Sequence, residues 1–304
     1  MDPNPVLKKL GFSPKDRVAI IHVDDIGMCQ AGVEAYADLF HFGLISSGAV
    51  MVPCPWFLAA AEVARSHPQA DLGVHLTLNC EWETYRWGPV STRDPATGLL
   101  DEQGCFHRRS SQTQACADPA AVAQELEAQM QRALAAGIVP THADTHMGTV
   151  VHGKFMHSYI SLALKYKVPP MMLRLDEGGW RRVLSQHRGA ALDDAAIREA
   201  VRMVRSLEER GVPLLDAIGG LRLEADPDSR MAQARQAFDA LGPGITHFII
   251  HAAKDTPELR AITPDWACRV ADYRTFMEAE LRAHLLASGV NVIGYRAIQS
   301  VMGS

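Results

Sequence analysis

Acidic and imidazole side chains stand at the carboxyl ends of several apolar segments in this 304-residue chain. Asp24 and Asp25 directly follow the apolar run 18–23, where adjacent acids are costly to bury unless a cation compensates them. The alternative is a turn in which one carboxylate caps the following helix. His75 lies in the alternating segment 71–78, on the face opposite the leucines. A single inward histidine is more often a core residue, so its weight depends on its partners.

Such partners occur further along the chain. His142, Asp144 and His146 alternate, so a strand would present all three on one face, and His251 ends the apolar segment 245–251. Several polar groups in a row are difficult to bury without a metal or close hydrogen bonding. A mixed set of histidines and carboxylates favours zinc, manganese or iron over a calcium cage. His142 and Asp144 would either orient the metal ligands or be ordinary hydrogen-bonded strand residues.

The segment 81–117 has no clear periodicity, and long irregular segments inside a compact domain are more often functional than accidental. Its aromatic and charged side chains suit sugar binding, because rings stack on pyranose faces while carboxylates take hydroxyl groups. The candidate substrate contacts in this insertion loop are Trp82, Tyr85, Arg86 and Trp87. The alternative is that these rings only fix the loop to the rest of the domain.

The elements that must position these residues follow a regular alternation. We predict strands at 17–23, 44–52, 71–78, 138–145, 171–175, 212–218, 245–251 and 290–296. We predict helices at 29–42, 56–66, 119–136, 152–167, 194–210, 230–241 and 264–287. Asp118 is a predicted helix cap, and Gly43 and Gly137 are predicted to follow helix ends. The segment 176–193 is predicted to be a loop.

Alternating strands and helices indicate crossover connections and a largely parallel sheet. About eight such units favour a barrel over an open sheet. We therefore expect an α/β fold in which residues 1–304 form a single domain. Its expected architecture is a deformed (β/α) TIM-like barrel of seven or eight parallel strands, with long loops at the carboxyl rim.

Composition excludes several classes of protein. Hydrophobic residues make up 47% of the chain, enough for a sizeable core. The net charge of −5 argues against a nucleic-acid partner, and the six cysteines form no C-x-x-C pair. No apolar run approaches 18 residues and the N-terminus lacks signal-peptide features, so we expect a cytoplasmic protein without a membrane partner. A homo-oligomer is compatible with the sequence.

The ordered set of segments resembles the YdjC-like (ChbG/HpnK) carbohydrate deacetylase family, which is similar to the polysaccharide deacetylases. The matching segments are 24–27, 73–78, 141–146 and 250–251. The resemblance implies that Asp25, His75 and His146 bind one divalent metal ion, zinc or magnesium. It implies that Asp24 is the general base and His251 the general acid or oxyanion partner.

The activity implied by the resemblance is hydrolysis of a linear amide. An acetyl group would leave an N-acetylated sugar or oligosaccharide through attack of metal-activated water. One departure is that Met147 and Gly148 follow His146, where the family usually continues with further histidines, so a substrate-side contact is lost or replaced. Two alternatives remain open: a metal-dependent sugar isomerase or epimerase, and a non-catalytic sugar-binding barrel.

Overall fold

A parallel β-sheet forms the centre of the computed structural model, which describes residues 2–186 and 194–303. In these ranges its seven strands are Arg17–Ile26 (β1), Ser47–Val50 (β2), Leu72–Leu76 (β3), Ala143–Thr145 (β4), Ala217–Gly220 (β5), Gly244–Ile250 (β6) and Asn291–Val292 (β7). The strand order is β4-β3-β2-β1-β6-β5, and β7 pairs with β1. All pairs are parallel, and the sheet curls into a half-barrel. The predicted fold class is therefore confirmed.

Helices connect the strands and cover the sheet. The α-helices of the described ranges are Pro5–Lys9 (α1), Gln30–Phe42 (α2), Phe57–Ser66 (α3), Ser110–Cys116 (α4), Pro119–Ala135 (α5), Gly153–Tyr166 (α6), Glu177–Gln186 (α7), Asp194–Glu209 (α8), Arg230–Asp239 (α9), Pro257–Ile262 (α10), Trp266–Phe276 (α11), Ala279–Ala287 (α12) and Tyr295–Ser300 (α13). Short 3-10 helices occupy Pro95–Thr97, His146–Val151 and Pro227–Ser229. Within the described ranges, no helix has the length and apolarity required to cross a membrane.

The central strand, β1, is largely apolar and ends at the candidate site. It pairs with β6 over its whole apolar part, from Arg17 opposite Gly244 to Val23 opposite Ile250. Its aliphatic residues are buried, as expected where both faces of a parallel strand are covered. The polar residues at its carboxyl end therefore lie at the edge of a rigid, fully paired element.

The segment 170–173 connects β4 to the residues before β5 without forming a regular strand. The predicted strand 171–175 is wrong as a regular strand, because this part of the chain makes only isolated bridges. The Met171 N–H donates to the Ala143 carbonyl, and the Arg174 N–H donates to the Leu215 carbonyl. Two consecutive prolines, Pro169 and Pro170, have no N–H to donate to a ladder, which explains the irregularity.

Other boundaries also differ from prediction. The strand predicted at 212–218 is displaced to β5, and the one predicted at 290–296 is reduced to β7. The helix predicted at 264–287 is two helices, α11 and α12, because the backbone of Glu278 between them is extended, with φ −87° and ψ 127°. The loop predicted at 176–193 contains α7, and its remainder after residue 186 lies outside the described residues.

The predicted cap residues Asp118, Gly43 and Gly137 are confirmed. The Asp118 carboxylate accepts from the Ala121 N–H at 3.2 Å at the start of α5. Gly43 ends α2 in the left-handed region at φ 78°, and Gly137 has φ 90° after α5. The insertion 81–117 is more ordered than its sequence indicates. It contains α4 and an antiparallel bridge between Leu100 and Phe106.

Candidate metal and active centre

The adjacent acids at the end of β1 reach the same site because the strand distorts there. In a regular strand, Asp24 and Asp25 would point to opposite faces. Asp25 instead has φ 61°, a left-handed conformation that is uncommon for a residue other than glycine. The register between β1 and β2 also shifts between Val23 and Ile26. This distortion brings both carboxylates to one cavity.

Three buried side chains form a compact set of potential metal ligands. Asp25 Oδ1 lies 3.5 Å from His75 Nε2 and 3.1 Å from His146 Nδ1. One ligand atom from each residue lies within 4.8 Å of the others. Among the described residues, Asp25 Oδ1 finds no well-formed hydrogen bond, although it is buried. An unsatisfied carboxylate oxygen between two imidazole nitrogens fits a divalent cation.

Each of these two imidazoles is held from its other nitrogen by a carboxylate. His75 Nδ1 lies 2.8 Å from Asp144 Oδ1, across the β3–β4 pairing that sets His75 opposite Asp144. His146 Nε2 lies 3.0 Å from Glu81 Oε2. Metal-binding histidines commonly donate their second N–H to such a partner, which fixes the tautomer and the ring orientation. The arrangement therefore resembles a metal centre in which a carboxylate orients each coordinating histidine through its other nitrogen.

Arg269 holds the second oxygen of Asp25. Its Nη1 donates to Asp25 Oδ2 at 2.8 Å, and its Nε donates to Asp265 Oδ1 at 2.6 Å. Burial would raise the pKa of Asp25, but Arg269 and His146 outweigh it and hold this pKa well below its usual range. Asp25 is therefore an anion that needs no added metal to stay ionised.

Asp24 lies beside this set with one oxygen occupied and one directed at the site. His22 Nδ1 donates to Asp24 Oδ1 at 2.7 Å. Asp24 Oδ2 is 3.9 Å from His75 Nε2 and 3.8 Å from His251 Nε2. Burial raises the pKa of Asp24, but the charge of His75 and the hydrogen bond from His22 lower it well below its usual range. The carboxylate is thus ionised, and its Oδ2 faces the cavity.

His251 approaches from the carboxyl end of β6. Its backbone N–H donates to Asp272 Oδ2 at 2.9 Å, and the other oxygen of Asp272 pairs with Arg230 Nε at 2.6 Å. Within residues 2–186 and 194–303, His251 Nδ1 has no hydrogen-bond partner. The main chain of His251 is therefore held firmly while its ring faces the cavity.

His142 lies one layer deeper than the ligands. Its Nε2 is 2.9 Å from His22 Nε2, and its ring stacks on Tyr295 with centroids 3.8 Å apart. Burial, together with His22 and His247, holds the pKa of His142 well below its usual range. Gly73 is required above this ring, because a Cβ there would lie 2.5 Å from it. The alternating set in the sequence therefore runs from the core to the rim, with Asp144 in the middle.

The four candidate substrate contacts of the insertion divide into one ring that lines the cavity and three anchors. Trp82 lines the cavity. The Tyr85 hydroxyl donates to the Met28 carbonyl at 2.5 Å, and the Trp87 indole donates to the Asn79 carbonyl at 3.1 Å. The Arg86 guanidinium donates to the Asp101 carboxylate and to the Phe106 carbonyl. Tyr85, Arg86 and Trp87 thus hold the insertion in place rather than line the cavity.

A cavity of about 530 Å³ opens above the candidate ligands. Carboxylates and histidines form its floor, and its walls are largely apolar. The wall residues include Trp82, Met147, Met171, Leu223, Ile249 and Pro264. This volume falls in the range of small-molecule sites. A small molecule bound here would contact both the apolar wall and the charged floor.

The sequence is similar to those of a known protein family. The sequence model of the YdjC-like protein family matches residues 18–287. The chain belongs to the YdjC-like family. A carbohydrate deacetylase of Thermus thermophilus is 31% identical over 297 residues, covering 98% of this chain and 99% of that protein. A carbohydrate deacetylase of Brevibacillus brevis is 32% identical over 150 residues, covering 49% of this chain and 57% of that protein.

A solved structure has the same fold as this YdjC-like chain. It is a putative cellobiose-phosphate cleavage protein from Enterococcus faecalis, with a TM-score of 0.71 and 20% identity. The match covers 93% of this chain and 99% of that one. The family resemblance inferred from the sequence is confirmed by the family model and by the relative from Thermus thermophilus.

Three residues of this YdjC-like site were not predicted as site residues. His22 stands two positions before Asp24, so strand periodicity alone could have placed both on one face. Glu81 precedes Trp82 in a segment without periodicity, so no pattern indicated where its side chain points. Arg269 is 244 positions from its partner Asp25, and only tertiary folding brings them together.

Proposed function

We propose that this chain is a carbohydrate deacetylase that uses one divalent cation to hydrolyse the N-acetyl amide of a sugar or oligosaccharide. One observation carries the proposal. Asp25, His75 and His146 converge at the floor of a cavity, and Asp24 and His251 flank them. The names of the two sequence relatives support a carbohydrate substrate with a removable acyl group.

Asp25, His75 and His146 would hold the cation. When bound, such a cation lowers the pKa of a coordinated water and polarises the acetyl carbonyl. Two imidazoles and one carboxylate favour zinc, whereas magnesium prefers oxygen ligands and retained water. The family resemblance implies magnesium as well, so the proposed cation is zinc or magnesium.

Asp24 and His251 carry the proton transfers. Asp24 Oδ2 accepts a proton from the water that adds to the acetyl carbon. His251 Nε2 donates a proton to the amide nitrogen as the carbon–nitrogen bond breaks, so the products are acetate and a free amine. The 3.8 Å between these two atoms lets both act on one tetrahedral centre.

Acetate release tests this function directly. The full chain, loaded with zinc or magnesium, is incubated with N-acetylated mono- and oligosaccharides, and acetate is quantified with and without a chelator. We expect release from at least one sugar, abolished by the chelator and restored by added metal. A change of sugar isomer without acetate would instead indicate an isomerase. No chelator-sensitive release from any sugar would contradict the proposal.

Metal uptake should strengthen as pH rises. Burial lowers the pKa of His146, but the Glu81 and Asp25 carboxylates outweigh it and raise this pKa to about 9. The pKa of His75 is also raised, by Asp144 and Asp24 against the effect of burial. Below these pKa values the cation must displace protons from the ligand nitrogens, so apparent affinity should increase from pH 6 towards pH 9.

Calorimetric zinc titrations in buffers of different ionisation enthalpy measure this proton release. We expect protons to be released at pH 7, from His75 and His146. An affinity that is independent of pH over this range, with no released protons, would contradict the assignment of these two imidazoles as ligands.

A further inference from the structure

The carboxylate of Glu81, in the insertion, contacts His146, one of the candidate metal ligands. Its two oxygens lie 3.2 and 3.0 Å from His146 Nε2. Its side chain is 22% exposed and lines the cavity wall. In the described part of the chain, the hydrogen bonds of this carboxylate go to His146. Its position is therefore defined by the candidate metal centre.

The two imidazoles of the centre have the same pattern of contacts. His75 directs Nε2 towards Asp25 Oδ1 and Nδ1 towards Asp144. His146 directs Nδ1 towards Asp25 Oδ1 and Nε2 towards Glu81. A carboxylate on one nitrogen keeps the proton there and leaves the other nitrogen free to coordinate. Glu81 thus stands to His146 as Asp144 stands to His75.

We propose that Glu81 is a positioning residue of the metal centre, which holds the Nε2–H of His146 so that Nδ1 faces the cation. This inference rests on the metal site of the proposed function. Asp144 belongs to a strand of the barrel, whereas Glu81 belongs to the insertion. The insertion is accordingly part of the metal centre as well as the wall of the substrate cavity.

The next residue of the insertion supports the same conclusion. The Trp82 ring lies 5.9 Å from the guanidinium of Arg269, and Arg269 donates to Asp25 Oδ2. Glu81 therefore contacts the ligand His146, and its neighbour Trp82 contacts Arg269, the partner of the ligand Asp25. The anchors Tyr85 and Trp87 fix the segment to the main chain near the ends of β1 and β3.

Zinc titration of the full chain tests the inference without reference to turnover. We compare the wild type with Glu81→Ala and Glu81→Gln, measuring Zn²⁺ affinity by competition with a fluorescent chelator near pH 7. Loss of a partner that orients a metal ligand typically costs about 10–100-fold in affinity, so we expect that loss for Glu81→Ala. Glu81→Gln should lose less, because its amide oxygen still accepts from Nε2–H.

Glu83→Gln is the matched control from the same segment. Its side chain is 79% exposed and, in the part of the chain that the structure describes, pairs with Arg108 at 3.3 Å, so zinc affinity should equal that of the wild type. Thermal unfolding without metal checks that all variants are folded. Glu81→Gln, which is isosteric, keeps the test valid if Glu81→Ala does not fold.

The outcomes separate this inference from the deacetylase proposal. Wild-type affinity in both Glu81 variants, an equal loss in Glu83→Gln, or no zinc binding by the wild type would overturn the positioning role. If zinc binding depends on Glu81 but no sugar releases acetate, the positioning role stands and the deacetylase proposal fails.

Discussion

Replacing Asp24 by asparagine should lower kcat for acetyl hydrolysis by roughly 10²–10⁴-fold while leaving zinc binding intact. The asparagine side chain has nearly the same shape, and its oxygen can still accept from His22 Nδ1. It cannot take up the proton of the attacking water at the position of Asp24 Oδ2. The proposed ligands Asp25, His75 and His146 are unchanged in this variant.

The measurement pairs steady-state acetate release with zinc titration of the same preparation. Asp239→Asn is a suitable control, because Asp239 is 59% exposed and pairs with His284 at the surface. Full activity in Asp24→Asn would remove Asp24 as the base. Loss of zinc binding would instead make Asp24 a ligand.

Replacing Arg230 by methionine should lower the free energy of unfolding by about 3–5 kcal/mol, the usual result of removing one partner of a buried ion pair. Arg230 and Asp272 are 1% and 0% exposed, and Arg230 Nε lies 2.6 Å from Asp272 Oδ1. Without the guanidinium, the Asp272 carboxylate would be left buried beside the His251 main chain. It would then have to stay charged without a partner or take up a proton.

This loss should depend on pH. Burial already raises the pKa of Asp272, and removing Arg230 raises it further. A carboxyl whose pKa is higher in the folded state destabilises that state as pH rises above the ordinary carboxyl pKa. The loss should therefore be larger at pH 8 than at pH 5. Adding Asp272→Asn should recover part of it, because the amide oxygen still accepts from the His251 N–H.

Urea unfolding at both pH values measures these differences. Arg235→Met is the matched control on the same helix, because Arg235 pairs with Glu280 at the surface, where both side chains are at least 38% exposed. An exposed pair contributes about 0–1 kcal/mol. Equal losses in the two variants would contradict the importance of the buried pair.

Periodicity predicted the inward-facing residues of the site well. The alternation in 71–78 and 142–146 determines which side chains share a face, and parallel strands must bring their carboxyl ends to one rim. His75 and Asp144 consequently lie opposite each other in neighbouring strands. Cap residues such as Asp118 were also predictable, because capping depends on groups only a few positions apart.

Loops and long-range partners could not be predicted in this way. Tyr85, Arg86 and Trp87 have the composition of sugar contacts, yet their hydrogen bonds anchor the insertion. Nothing local distinguishes an aromatic ring that lines a cavity from one that packs under a loop. The irregular closure through Pro169 and Pro170 likewise depends on contacts with β4 and the residues before β5.

Strand periodicity and chain order were enough to predict the parallel α/β architecture and the order in which Asp and His residues reach one rim. The ordered segments were enough to identify the family by resemblance. The fine arrangement of the centre depends on the tertiary structure. The fold turned Asp25 into the cavity through a left-handed backbone, and brought Arg269 and Glu81 against the candidate ligands. Such contacts join residues that are distant in sequence, so only the packing of the whole chain can specify them.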